Sequence, residues 1–298
     1  MSLPQLLGEN RSEIALIIGN GVNRYPNDNE KNSWESLLLD LWHESNASER
    51  LSRLPSGISP TEFFDILEVS NTQPEKKAEL AKKFCNLMGG WEYLPHHISI
   101  TSWAEHYDCP ILTTNFDEVL SDSLPNCKLH GNTGRKFTDF YPWEAYFSTR
   151  TVSSPENGFA IWHVNGMQRY ERSLRLGLSH YMGSVERARN WLHKGDESSL
   201  FRGKNVNGWR GANSWLHVFF NCHLLIVGLG LNENEVFLRW LLIERYKYFR
   251  KYPDRSKKAW YVSKGAPQDE GKLLFLRELG IETVICNSYY DIYEAPWR

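Results

Sequence analysis

The chain has 298 residues, which at roughly 150 residues per domain allows one large α/β domain or two ordinary ones. With 34 Lys and Arg against 36 Asp and Glu the net charge is −2, so there is no global field to hold a polyanion; this argues against a dedicated nucleic-acid binder. Hydrophobic residues at 41%, with 12 Trp, 14 Tyr and 14 Phe, describe a packed, aromatic-rich globule and not a disordered chain.

Along the chain, Ile14-Ala-Leu-Ile-Ile18 is a short apolar run ending in Gly19-Asn20-Gly21, and the stretch from Ser33 to Trp42 has apolar residues at helical spacing behind a Ser cap. Together they predict a strand, a glycine turn and a helix. Ser59-Pro60-Thr61-Glu62 has the capping-box arrangement, Ser at the cap and Glu three residues later, opening a helix through Leu67. Further helical patterns over Pro74 to Met88, stopped by Gly89-Gly90, and over His97 to Tyr107 make a helical insertion of about 48–108.

Pro110 to Thr114 and Phe159 to Val164 read as strands. Between them, about 125–158 is irregular and aromatic, with Phe137, Phe140, Tyr141, Trp143, Tyr146 and Phe147, and is expected to be a lid-like insertion. A helix over Ser184 to Leu192, a strand over Leu224 to Val227 and a long helix over Val236 to Arg250 follow. The chain then reads as strand, helix and strand over 259–262, 273–279 and 282–285. Such alternation, with short continuous apolar strands and no linker, predicts one α/β domain over 1–298. Its sheet would be open, doubly wound and mainly parallel, of the Rossmann-like kind.

In such sheets ligands bind beyond the carboxyl ends of the strands. The turn Gly19-Asn20-Gly21-Val22-Asn23 would let backbone N–H groups approach a phosphate, or is simply a tight strand-to-helix turn. Thr113-Thr114-Asn115-Phe116-Asp117 brings Asn115, able to donate and accept toward a sugar hydroxyl or a water, and Asp117, which also suits a helix cap. His163 and Asn165 share one side of their strand by the period of two, His163 being a base or a core group. Gly228-Leu-Gly230-Leu-Asn232-Glu233-Asn234-Glu235 is a second glycine turn, with Asn232 and Glu235 available for ribose hydroxyls.

In this order the segments resemble the sirtuin-like NAD-binding fold, in the branch found in bacterial antiphage defence proteins such as those of Thoeris and Argonaute-associated systems. The resemblance spans roughly 14–286 and is most specific at Thr113 to Asp117. It implies NAD as substrate, bound by Gly19, Asn20, Gly21, Asn23, Asp117, Asn165, Gly228, Gly230, Asn232 and Glu235. Asn115 matches the family Asn that activates water at the nicotinamide riboside carbon. The family His directly precedes Gly; here Asn165 stands before Gly166, so His163, two residues earlier on an evident strand, is favoured over His130 of Lys128-Leu-His130-Gly131. Leu174 to Tyr181 resembles the strand-plus-Tyr segment that follows the His motif. Arg172 and Arg175 are candidates for a pyrophosphate, whereas Arg187 and Arg189 read as a solvated face.

The implied function is an NAD glycohydrolase giving nicotinamide and ADP-ribose, acting in antiphage defence by NAD depletion. The alternative is a catalytically silent module that binds NAD or ADP-ribose as a sensor or assembly subunit, to which Asn165 before Gly166 points. The five cysteines are unpaired in spacing, so neither the sirtuin zinc module nor any other metal is expected. No membrane span or signal peptide is legible, and a cytoplasmic protein is expected, partnered by itself or by another defence protein.

Overall fold

The computed structural model describes residues 1–27, 32–45, 50–70, 74–131, 141–203 and 206–298. Its strands are β1 (Ile14–Ile18), β2 (Ile111–Thr113), β3 (Lys128–His130), β4 (Tyr146–Ser148), β5 (Ile161–His163), β6 (His223–Val227), β7 (Ala259–Lys264) and β8 (Ile281–Cys286). They form one 8-stranded sheet in the order β3-β4-β5-β2-β1-β6-β7-β8. From β5 to β8 every neighbouring pair is parallel, while β4 runs antiparallel to both β5 and β3. The chain builds outward from β1 through β2 to β5, then crosses back to place β6 on the other flank of β1. This is the doubly wound, Rossmann-like arrangement, and its topological switch point lies between β1 and β6.

The central strands carry no polar face because both faces are covered. Ile14, Leu16 and Ile18 of β1 and Leu225 and Val227 of β6 point into one apolar layer. Ala15 and Ile17, with Leu224 and Ile226, point into the other. The first layer is closed by α1 (Leu3–Asn10), α6 (Pro95–His106), α7 (Val119–Asp122) and α12 (Tyr290–Tyr293). The second is closed by α8 (Leu178–His193), α9 (Trp215–Asn221), α10 (Val236–Lys251) and α11 (Glu270–Glu278). Among the described residues no helix is long and apolar enough to cross a membrane.

A third apolar cluster sits beyond the carboxyl ends of the strands. It joins α3 (Trp34–Ser45), α4 (Pro60–Ser70) and α5 (Pro74–Leu87) to Phe116, Leu174 and Leu176. The helical segment expected over 48–108 therefore divides: α4 and α5 belong to this roof, together with α3, whereas α6 packs Ile100 and Ala104 on the sheet. The capping box forms at α4, where Ser59 N–H donates to Glu62 Oε2 at 2.8 Å and Glu62 N–H donates to Ser59 Oγ at 3.2 Å.

Two segments differ from the sequence expectation. The described parts of 125–158 contribute β3 and β4 to the sheet, and Tyr141, Trp143, Tyr146 and Phe147 pack into the two core layers. Phe137 and Phe140 lie outside the described residues. Leu174 to Tyr181 forms no strand: α8 starts at Leu178, whose N–H donates to Asp65 Oδ2 of α4 at 2.9 Å. The start of α8 is thus held by Asp65 from another helix, which a local reading does not contain, as well as by the local bond from Gly177 N–H to His180 Nδ1 at 3.2 Å.

Candidate functional site

At the switch point the glycine turns after β1 and β6 pack directly on each other. Gly19 N–H donates to Val227 O at 2.9 Å and Gly21 N–H to Gly228 O at 2.8 Å. A Cβ at Gly19 would lie 2.6 Å from Gly228 O, and one at Gly21 would lie 2.5 Å from the Tyr293 hydroxyl and 2.8 Å from Gly228 O. Of the two readings of the turn 19–23, the Gly19 and Gly21 N–H groups fit the tight strand-to-helix turn and are not open to a phosphate. Both donors are used within the protein, and the missing side chains serve the approach of two backbones.

Over this contact lies a cleft of about 340 Å³ between the carboxyl ends of the strands and the helical roof. Asn20, Gly21 and Arg24 of the short helix α2 (Gly21–Arg24) and its approach line one side, and Thr114, Asn115 and Asp117 follow from the end of β2. Asn165 follows the end of β5, and Gly228, Gly230, Asn232 and Glu235 follow the end of β6. Trp34, Leu37, Phe84, Met88 and Trp91 close it from the roof. Four separate strand ends thus converge, as the doubly wound order requires. Gly19, Asn23 and His163 are not among the lining residues.

Asn23 lies beneath the floor as a relay. Its Nδ2 donates to Asp117 Oδ2 at 2.8 Å and to Asn20 Oδ1 at 2.9 Å, while its Oδ1 accepts from His97 Nε2 at 3.2 Å. His97 Nδ1 in turn accepts the Leu94 N–H at 3.0 Å, which fixes the tautomer, and burial together with the adjoining His96 holds its pKa down to about 3. Asp117 Oδ1 also accepts the N–H of Val119, the first residue of α7, at 3.1 Å, although the N-cap position itself is Glu118. Burial nevertheless raises its carboxyl to about 6.

Asn115 is held by its backbone and left open at its side chain. Its N–H donates to Thr113 Oγ1 at 3.1 Å, a hydroxyl that itself donates to Ile18 O at 3.1 Å. Its carbonyl accepts from His163 Nδ1 at 3.0 Å. The residue is 5% exposed, yet neither Oδ1 nor Nδ2 has a hydrogen-bond partner. Buried polar atoms are nearly always partnered, so an orphaned amide on a cleft wall marks a place for an ordered water or a ligand. Asn165, beside it, donates from Nδ2 to Thr114 O at 3.1 Å.

His163 is fully buried, edge-on to Phe147 at 5.6 Å, with its pKa lowered by burial and its Nε2 unpartnered. It supports Asn115 from below the cleft. His130 is distant in the topology. It lies on β3, hydrogen-bonds Ser148 O at 3.1 Å and stacks on Tyr146.

Two features of the wall were not singled out by sequence reasoning. Arg24 is the cationic side chain among the described lining residues, and it is shared with an adjoining cavity of about 260 Å³ lined by Tyr25, Tyr261, Lys264, Tyr289 and Tyr293. In the sequence Arg24 stands where a third fingerprint glycine would be, a departure that was itself the signal. The second feature is the aromatic roof of Trp34 and Trp91, hidden in ordinary helical spacing. On the same cleft, Glu235 is partly buried and has no side-chain hydrogen bond or ion pair among the described residues; burial raises its carboxyl to about 7. Arg175 turns instead to Ser184 Oγ at 2.9 Å and lies over Tyr141. Among the described residues no group of three or more His, Cys, Asp or Glu is placed to hold a metal ion. Compared with known proteins, the chain matches no family model and no curated protein.

Proposed function

We propose that the cleft binds NAD across the switch point and that the protein is an NAD glycohydrolase, releasing nicotinamide and ADP-ribose. The observation that carries the reading is the orphaned amide of Asn115, 5% exposed and lining a cleft at the switch point of a doubly wound sheet. An amide that donates and accepts suits a ribose hydroxyl and the attacking water together. Arg24, which lines both cavities, supplies a positive charge for a pyrophosphate, and the two adjoining cavities suit the two nucleoside halves. The resemblance to sirtuin-like defence domains supports the same substrate and carries the biological setting, NAD depletion in antiphage defence.

A second reading, a silent NAD- or ADP-ribose-binding module, is favoured by a specific observation. Asn165 stands in the cleft before Gly166, while His163 is buried beneath it. Incubation with NAD, with nicotinamide and ADP-ribose followed by chromatography, separates the two. Release by the protein and none by Asn115→Ala is the expected result. An NAD-induced rise in Tm without release supports the silent module, and absence of both overturns both readings.

A further inference from the structure

Hydrolysis of a glycosidic bond needs a group that takes the proton of the attacking water, and the histidines near the cleft are poorly suited to it. His163 has its Nδ1 engaged by Asn115 O and its ring enclosed, and His97 and His96 hydrogen-bond Asn23 Oδ1 and Val22 O below the floor. Asp117 accepts through both oxygens, from Asn23 and from the Val119 N–H. Glu235 is the acid on the cleft wall with no such engagement among the described residues.

We propose that Glu235 is the catalytic base of the cleft, taking the proton of the water that attacks the nicotinamide-bearing carbon of the ribose. The inference rests on the NAD reading above. In the step, the water oxygen bonds to the ribose carbon and the carbon–nitrogen bond to nicotinamide breaks. Its electron pair leaves with the nitrogen, so nicotinamide departs neutral. The water proton passes to the Glu235 carboxylate and then to solvent, and NAD⁺ and water become nicotinamide, ADP-ribose and one proton.

Several observations support the assignment. Glu235 and Asn115 line one cleft, so a water held by the Asn115 amide lies in the same cleft as the carboxylate. The loop that carries Glu235 is fixed: Leu231 is fully buried at φ +49°, its carbonyl accepts from Arg239 Nη1 at 3.1 Å, and Gly230 O accepts from the Tyr261 hydroxyl at 3.4 Å. Glu235 occupies the N-cap position of α10 yet makes no cap hydrogen bond, so its side chain is not consumed by the helix. Among the described residues, Tyr181 of α8 is close enough to feel the Glu235 charge, and Arg24 and Asp117 are the other charged groups lining the cleft. With its carboxyl near 7, Glu235 exchanges protons at neutral pH, as a general base must.

The test is nicotinamide release against pH for the protein and for Glu235→Gln, with NAD-induced Tm shifts measured in parallel. The expected result is a wild-type rate that rises through about pH 7. In Glu235→Gln, kcat falls by roughly 10² to 10⁴ and that rise is lost, while the Tm shift with NAD is kept. Glu235→Asp, which keeps the carboxylate, retains the rise at a lower rate and serves if the Gln variant does not fold. An unchanged kcat with a raised KM in Glu235→Gln makes Glu235 a binding residue and overturns the inference while leaving the NAD reading intact. Absence of release by the wild-type protein overturns that reading and the inference with it.

Discussion

The two ends of the parallel sheet handle buried polar groups in opposite ways. At the amino ends, Arg245 is 3% exposed and donates to the carbonyl oxygens of Phe219, Cys222, Lys257 and Lys258, tying the end of α9 to the start of β7. His223 Nδ1 accepts the Lys258 N–H at 2.8 Å, and Lys257 and Glu13 pair at 3.0 Å. At the carboxyl ends, among the described residues, the Asn115 amide and His163 Nε2 have no hydrogen-bond partner and the Glu235 side chain makes no ion pair. The first set holds the fold together. The second set leaves hydrogen-bonding capacity unused beside and beneath the cleft, an arrangement expected of a functional site and not of a structural one.

The largest expected effect lies at the amino end. Arg245→Met leaves buried carbonyls without donors and is expected to cost about 3 kcal/mol or more, a fall in Tm of about 6–12 °C in a thermal melt. Asn115→Ala removes two orphaned atoms and is expected to move Tm by less than about 2 °C while abolishing NAD cleavage. A large Tm loss in Asn115→Ala would erase the contrast between the two ends.

Next in size is the glycine contact. Gly21→Val places carbon against Tyr293 and Gly228 and is expected to cost about 1–3 kcal/mol in the absence of any ligand, read as a lower Tm of the free protein. If the free protein keeps its Tm and only the NAD-induced shift is lost, then Gly21 acts through a phosphate and not through the fold.

A smaller effect comes from pH. The folded-state pKa of Glu235, about 7, stands above its ordinary 4.5, so the native state favours the protonated carboxyl. Its contribution is fully present below about 4.5 and is lost as the pH rises through 7. Glu235→Gln is therefore expected to gain Tm relative to the wild-type protein, by a few degrees, on going from pH 5 to pH 8. Asp117, raised to about 6, acts in the same direction between its ordinary 3.8 and 6. A difference that stays flat with pH would show that the Glu235 carboxyl is solvated.

The smallest effect distinguishes the two histidines. His163→Ala removes the donor to the Asn115 carbonyl, and turnover is expected to fall about tenfold, in the range of outer-layer groups that orient a functional residue. His130→Ala, on the far flank of the sheet, should leave turnover unchanged. The reverse ranking in steady-state rates would move the reacting end of the cleft toward β3.

Local pattern was enough to determine the strand-and-helix alternation, the capping box at Ser59 and Glu62, and the strand ends that carry polar residues. Asn20, Gly21, Asn115, Asp117, Asn165, Gly228, Gly230, Asn232 and Glu235 do meet in one cleft. They do so because a parallel sheet delivers all its carboxyl ends to one side, a consequence of period and connectivity that sequence contains. Tertiary structure decided what each of these residues faces. The glycine N–H groups are taken by Val227 and Gly228, more than 200 positions away; the start of α8 is held in part by Asp65; Asn23 and His163 sit below the floor; and Arg24 enters the wall. The helix α9 was missed for a related reason. Trp215 to Phe220 are all buried, so the segment shows no polar face to give it a period. Hydrogen-bond partners and burial are set by which distant segments pack together, and neither periodicity nor spacing along the chain carries that information.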